Sequence, residues 1–144
     1  MNKKLILTSY GLTTGIGRKL ISKELKAYDL ADKKIFLFHE PHYSVELMLI
    51  EACLNLRFKK GNKIYIGCSA GAAIAGVSIE EVKDFDRNFI GMVDFGGLNL
   101  FDGIIIPHYT KSEFRRYISN SPGIEEKYNR ILSISNEKSL VLEV

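Results

Sequence analysis

Cysteine is scarce in this 144-residue chain: there are two, Cys53 and Cys68, both inside apolar segments. Two such residues make no disulfide framework, so the fold has to rest on its core. Charge of one sign is scarce as well. Twenty Lys and Arg stand against seventeen Asp and Glu, a formal net charge of +3. The basic groups Arg57-Lys59-Lys60 and Arg115-Arg116 read as solvated faces rather than as one stripe. Phosphate neutralisation needs several cations clustered on one surface, so no nucleic-acid partner is expected. Long apolar runs are missing too. None approaches the roughly 20 residues needed to cross a bilayer, so no membrane partner is expected. Met1-Asn2-Lys3-Lys4 leads straight into a strand-like stretch without an h-region or a small-residue cleavage site, which points to a cytoplasmic location. Repeats, low-complexity tracts and linkers are absent.

What is present is an ordinary globular mixture, 46% hydrophobic and 26% charged. The length suits a single domain spanning residues 1–144, able to bury roughly two thirds of its unfolded surface. Short apolar runs recur along it: Leu5-Ile6-Leu7-Thr8-Ser9, Ile35-Phe36-Leu37-Phe38, Ile64-Tyr65-Ile66 and Ile104-Ile105-Ile106. Runs of this kind suit strands buried on both faces. Between them lie helical spacings. Leu20, Ile21, Leu25 and Tyr28 form one set, and Val45, Met48, Leu49, Ala52, Cys53 and Leu56 form another behind the N-cap Ser44. A Gly- and Ala-rich helix is expected over Gly71–Val77, with further helices over Glu113–Ile118 and Ile124–Leu132 and a last strand at Leu140–Leu142. Strand and helix alternate. The expected fold class is therefore α/β, a parallel sheet covered on both faces in a three-layer sandwich.

The sharpest chemical feature is Gly67-Cys68-Ser69-Ala70-Gly71, the G-x-S-x-G pattern between a buried strand and a small-residue helix. An abrupt strand-to-helix turn forces its central residue into a strained conformation and leaves no room for neighbouring side chains. The hydroxyl of Ser69 is thereby presented at the carboxyl edge of the sheet, with the backbone N–H of Ala70 as an oxyanion donor. A serine needs a base, and His108 follows the run ending at Pro107, on the sheet edge where ligands collect. The base in turn needs an orienting carboxylate. Asp84, Asp86, Asp94 and Asp102 all lie between Ser69 and His108, and spacing does not choose among them. Cys68, one position before Ser69, is a rival nucleophile in principle but reads as a packed core thiol. His39-Glu40-Pro41-His42 lacks a third ligand for a metal, and Gly11–Gly17 lacks the ending of a phosphate loop, so neither metal nor cofactor is expected.

With these residues in view, the sequence resembles peptidase family S51, the aspartyl dipeptidase family. The resemblance runs through Leu7–Tyr10, Tyr65–Ala72, Ala75–Ile79, Gly97–Phe101 and Pro107–Tyr109. It implies a flavodoxin-like fold of the class I glutamine amidotransferase kind. It also implies a serine-type hydrolase acting on short peptides, aspartyl dipeptides among them. By position, Ser69 matches the family nucleophile, His108 its base and Asp84 its acid, with Asp94 in reserve. The chain departs from the family pattern ahead of the elbow. No Gly-Gly-Asn-Thr-Phe-like loop is present, so a central βα portion is missing between about residues 56 and 63, and with it an oxyanion donor. Two consequences are expected: a homodimer that covers the exposed surface, or, as the alternative function, a non-enzymatic relic of the amidotransferase-like domain.

Overall fold

The computed structural model describes residues 4–10, 14–26, 34–39, 63–85 and 91–144. Its strands are β1 (Lys4–Thr8), β2 (Lys34–His39), β3 (Lys63–Cys68), β4 (Ile104–Ile106), β5 (Ile131–Ser133) and β6 (Ser139–Glu143). The helices are α1 (Gly15–Leu25), α2 (Ala70–Ala73), α3 (Lys111–Asn120) and α4 (Ile124–Lys127), and a 3-10 segment covers Glu80–Phe85. Four strands form one sheet in the order β2-β3-β1-β6, and β4 and β5 form a second, two-stranded one. β1, β2 and β3 run parallel, with Leu7 opposite Gly67 and Thr8 opposite Cys68, as their unbroken apolar runs predict. β6 is the exception, antiparallel to β1. Only residues 134–138 separate β5 from β6. β6 then runs back along β1, with Ser139 opposite Thr8 and Glu143 opposite Lys4.

Why the sheet needs cover on both faces follows from the alternation of its side chains. Leu5, Leu7 and Tyr65 point into one core with Ala72, Ala75, Leu98, Phe101 and Ile105. Their chain neighbours Ile6, Ile64, Ile66 and Cys68 point the other way, onto Ile21 of α1. β4 repeats the pattern. Ile105 joins the first core, while Ile104 and Ile106 pack with Tyr117, Ile124 and Tyr128 from α3 and α4. Each such side chain, fully buried, contributes on the order of 1.5–3 kcal/mol. α1 begins where Thr14 caps it, its hydroxyl accepting from the Gly17 N–H at 2.9 Å.

Two helices are shorter than their spacing predicts. α2 stops at Ala73 because the carbonyls that would continue it are taken by another segment. Leu98 N–H bonds Ile74 O at 2.7 Å, Leu100 N–H bonds Ala75 O at 2.9 Å and Asn99 N–H bonds Gly76 O at 2.9 Å. α4 ends at Tyr128, whose backbone is extended, and Ile131–Ser133 leaves the predicted helix to pair with β4 as a strand. The helix expected over residues 44–56, Tyr28 and the place between about 56 and 63 where a βα portion is expected to be missing lie outside the described residues. Among the described residues, no helix is long and apolar enough to cross a membrane.

Candidate active site

β3 delivers Ser69 at its carboxyl end, and the turn there is as tight as the glycine pattern requires. Ser69 sits at φ 53° and ψ −121°, a conformation that side chains rarely hold. Its N–H is held by the carbonyl of Thr8, at 3.0 Å, on the neighbouring strand. A Cβ on Gly67 would run into the Gly71 carbonyl oxygen and would lie 2.8 Å from the Tyr65 ring. That carbonyl also accepts the buried Tyr65 hydroxyl at 2.6 Å, which ties the first turn of α2 to the strand beneath it. The amide of Ala70 opens α2, and among the described residues it has no backbone acceptor.

Ser69 and His108, 39 positions apart in the chain, meet here. Ser69 Oγ lies 2.9 Å from His108 Nε2. Pro107 carries the chain out of β4, and His108 follows in the left-handed region at φ 55°. Its other ring nitrogen, Nδ1, is 2.8 Å from Oδ1 of Asn136. An amide oxygen only accepts, so Nδ1 carries the proton and Nε2 turns its lone pair to the serine hydroxyl. Tyr10 closes one side of the imidazole edge-on, with ring centroids 5.7 Å apart. The serine, the histidine and the asparagine are all half-buried, open enough for a substrate to reach.

Of the four aspartates between serine and histidine, Asp94 and Asp102 are described with their side chains, and both make other contacts. Asp84 lies in the 3-10 segment, and its side chain is outside the described residues, as is Asp86. Asp94 is exposed and turns back on its own loop, accepting from the Gly96 N–H at 2.9 Å. Asp102 is exposed and accepts from Asn129 Nδ2 at 3.1 Å. Sequence reasoning missed Asn136 because Ile131 and Leu132, continuing the spacing of Ile124 and Tyr128, read as the tail of a helix over Ile124–Leu132. Read as a strand, Ile131-Leu132-Ser133-Ile134 would have placed the polar residues that follow it at the same sheet edge as His108.

Cys68 is fully buried. Burial pushes its thiol pKa up, and a hydrogen bond with Thr8 offsets only part of the rise. A protonated, enclosed thiol is a poor nucleophile, and the Ser69 hydroxyl beside it is the more accessible group of the elbow. Among the described residues, no cluster of His, Cys, Asp and Glu could hold a metal ion. His42 and the side chain of His39 lie outside them.

Comparison with known proteins bears on this geometry. A model of peptidase family S51 matches residues 48–143. An uncharacterized peptidase of Listeria monocytogenes is 28% identical over 82 residues, 56% of this chain and 40% of that protein. An uncharacterized peptidase of Pasteurella multocida is 42% identical over 57 residues, 38% of this chain and 28% of that one. The matched segments thus span less than half the length of either relative. A crystal structure of a candidate peptidase E from Listeria monocytogenes superimposes with a TM-score of 0.62 at 19% identity, covering 99% of this chain and 95% of that one. That likeness speaks to the fold, an α/β sheet of mostly parallel strands.

Proposed function

The chain belongs to peptidase family S51, and on that premise we propose that it is a serine peptidase acting on short peptides through Ser69, His108 and Asn136. The observation that carries the reading is the Ser69 Oγ–His108 Nε2 contact of 2.9 Å together with the 2.8 Å contact of His108 Nδ1 with Asn136 Oδ1. In this mechanism Ser69 Oγ attacks the scissile carbonyl carbon while His108 Nε2 removes the hydroxyl proton. The carbonyl oxygen becomes an oxyanion within reach of the Ala70 N–H. Collapse of the tetrahedral species breaks the C–N bond, and His108 returns the proton to the leaving amine. Water then repeats the sequence on the acyl-serine and frees the acid.

Asn136, rather than an aspartate, takes the orienting role in this reading. Its amide oxygen sets the tautomer as a carboxylate would, but it brings no charge to balance the imidazolium that forms. A neutral orienting amide beside a catalytic histidine is known from the Cys-His-Asn sites of papain-like proteases. The loss of the oxyanion donor expected from the sequence would lower turnover by about 10²–10³. Aspartyl dipeptides are the substrates the family suggests. The test is labelling by a fluorophosphonate, which reacts only with an activated serine. The parent should label, and Ser69→Ala and His108→Ala should not. Equal labelling of all three would overturn the reading, and a cooperatively folded parent that fails to label would point to the relic.

A further inference from the structure

Among the described residues, Ser69 and His108 belong to parts of the fold that share no strand ladder. The serine ends β3 in the four-stranded sheet, while His108 and Asn136 follow β4 and β5 of the two-stranded one. Their separation is therefore a distance between two sheets, and a fixed contact must set it. We propose that Ser9 is that contact: a positioning residue that locks the histidine and its asparagine against the strand that holds the nucleophile. The consequence for rate rests on the peptidase reading above; the geometric claim stands apart from it.

Ser9 directly follows β1 and is 1% exposed. Its Oγ donates to the carbonyl of Ile134 at 2.8 Å and accepts from the backbone N–H of His108 at 2.9 Å. A hydroxyl has one proton. With that proton committed to Ile134, a lone pair is left to face the His108 amide, so the two bonds are mutually consistent. One residue earlier, the carbonyl of Thr8 holds the N–H of Ser69. Two adjacent residues at the end of one strand thus grip the nucleophile and the base.

The base needs that grip. A residue other than glycine keeps a φ of 55° only where its surroundings over-determine it. The His108 amide is tied to Ser9, and the next amide, that of Tyr109, is tied to the same Ile134 carbonyl at 2.9 Å. Ile134 precedes Asn136 by two residues, so the hydroxyl of Ser9 also anchors the segment that engages Nδ1. No apolar side chain could replace it, because both partners are backbone polar groups facing the same buried point.

The experiment compares the full chain with Ser9→Ala in two readouts. The first is the imidazole nitrogen NMR spectrum, with the His108 signals identified by their loss in His108→Ala. The parent should show one neutral tautomer, protonated at Nδ1, and Ser9→Ala a mixture of both. The second is the second-order rate of fluorophosphonate labelling below the unfolding transition, expected to fall roughly tenfold to a hundredfold, as misplacements of about 1 Å do. A purely structural role would lower the urea midpoint and leave the tautomer and the rate of the folded protein unchanged, and that result would overturn the proposal. If Ser9→Ala shows no cooperative unfolding, Ser9→Cys, with a weaker donor at the same place, takes both measurements with the same expectations. A parent that does not label refutes the peptidase reading, and the tautomer spectrum then decides on Ser9 alone.

Discussion

Adding one methyl group to the elbow should cost both stability and rate. In Gly67→Ala the new Cβ would overlap the Gly71 carbonyl oxygen and stand 2.9 Å from its carbon and 2.8 Å from Cε1 of Tyr65. Ordinary contact begins at 3.4 Å, so the Gly71 peptide has to retreat by roughly half an ångström or more. It cannot retreat freely, because its oxygen is the acceptor of the buried Tyr65 hydroxyl. Overpacking of this kind costs about 1–3 kcal/mol. Gly71 is two residues from Ser69, and α2 is short, so the shift is passed to the nucleophile. A displacement approaching 1 Å lowers the rate by about 10²-fold. Gly15→Ala is the matched control. It lies at the start of α1, is exposed, and would meet no atom within 4 Å; removing backbone freedom there should be neutral or stabilising by up to about 1 kcal/mol. Urea unfolding followed by circular dichroism gives the stabilities, and fluorophosphonate labelling under fully folding conditions gives the reactivities. A Gly67→Ala protein with the midpoint and labelling rate of Gly15→Ala would refute the reasoning.

Asn136→Ala should lower labelling by at least about 10²-fold, the usual scale for a mis-set general base, whereas Asn136→Asp keeps an acceptor on Nδ1 and should label at the parental rate or faster; stopped-time labelling of the two variants checks this. Stability should carry an acid-sensitive contribution from Glu81. Burial opposes its ionisation, but hydrogen bonds from Lys127, Ser121 and Tyr128 outweigh burial and hold its pKa below the ordinary carboxylate value. The unfolded chain then takes up this proton at higher pH than the native one, so the contribution is complete above about pH 4.5 and is lost as pH falls through the lower native value. Lys127 is about half exposed, 47% at its side chain, so solvent screening limits the contribution to about 1 kcal/mol or less. The urea midpoints of parent and Glu81→Gln should differ near neutral pH and converge as pH falls below about 4.5 and through the lower native value. Cys68, with its raised pKa and complete burial, should resist iodoacetamide in the native protein and react on unfolding, which peptide mass mapping of the Cys68 fragment would read; fast native alkylation at Cys68 would contradict the core assignment.

Much of the α/β arrangement is legible along the chain because buried parallel strands announce themselves as unbroken apolar runs. Leu5–Leu7, Ile64–Ile66 and Ile104–Ile106 are strands for that reason, each buried on both faces. The elbow is equally local. Gly67 and Gly71 flank Ser69 because the turn brings the Gly71 carbonyl against the position a Gly67 side chain would fill. Less legible is whatever depends on a competing partner. Gly71–Val77 has the composition of a helix but ends as one at Ala73, because the segment around Leu98–Leu100 claims its carbonyls. Ile131 and Leu132 continue a helical spacing, yet they form a strand because β4 offers a ladder.

The same division holds at the site. Residue type and local pattern were enough to single out Ser69 and His108, since a hydroxyl on a glycine-flanked turn and an imidazole after a buried strand are each conspicuous alone. Which group would face Nδ1 was not a local property. It depends on where β5 ends relative to β4, and on a serine 99 positions from His108 that joins two sheets through one buried hydroxyl. Chain order carries no trace of such a juxtaposition, because hydrogen bonds between distant segments are selected by packing, and an asparagine at a strand end looks like any other loop residue until the neighbouring strand is in place.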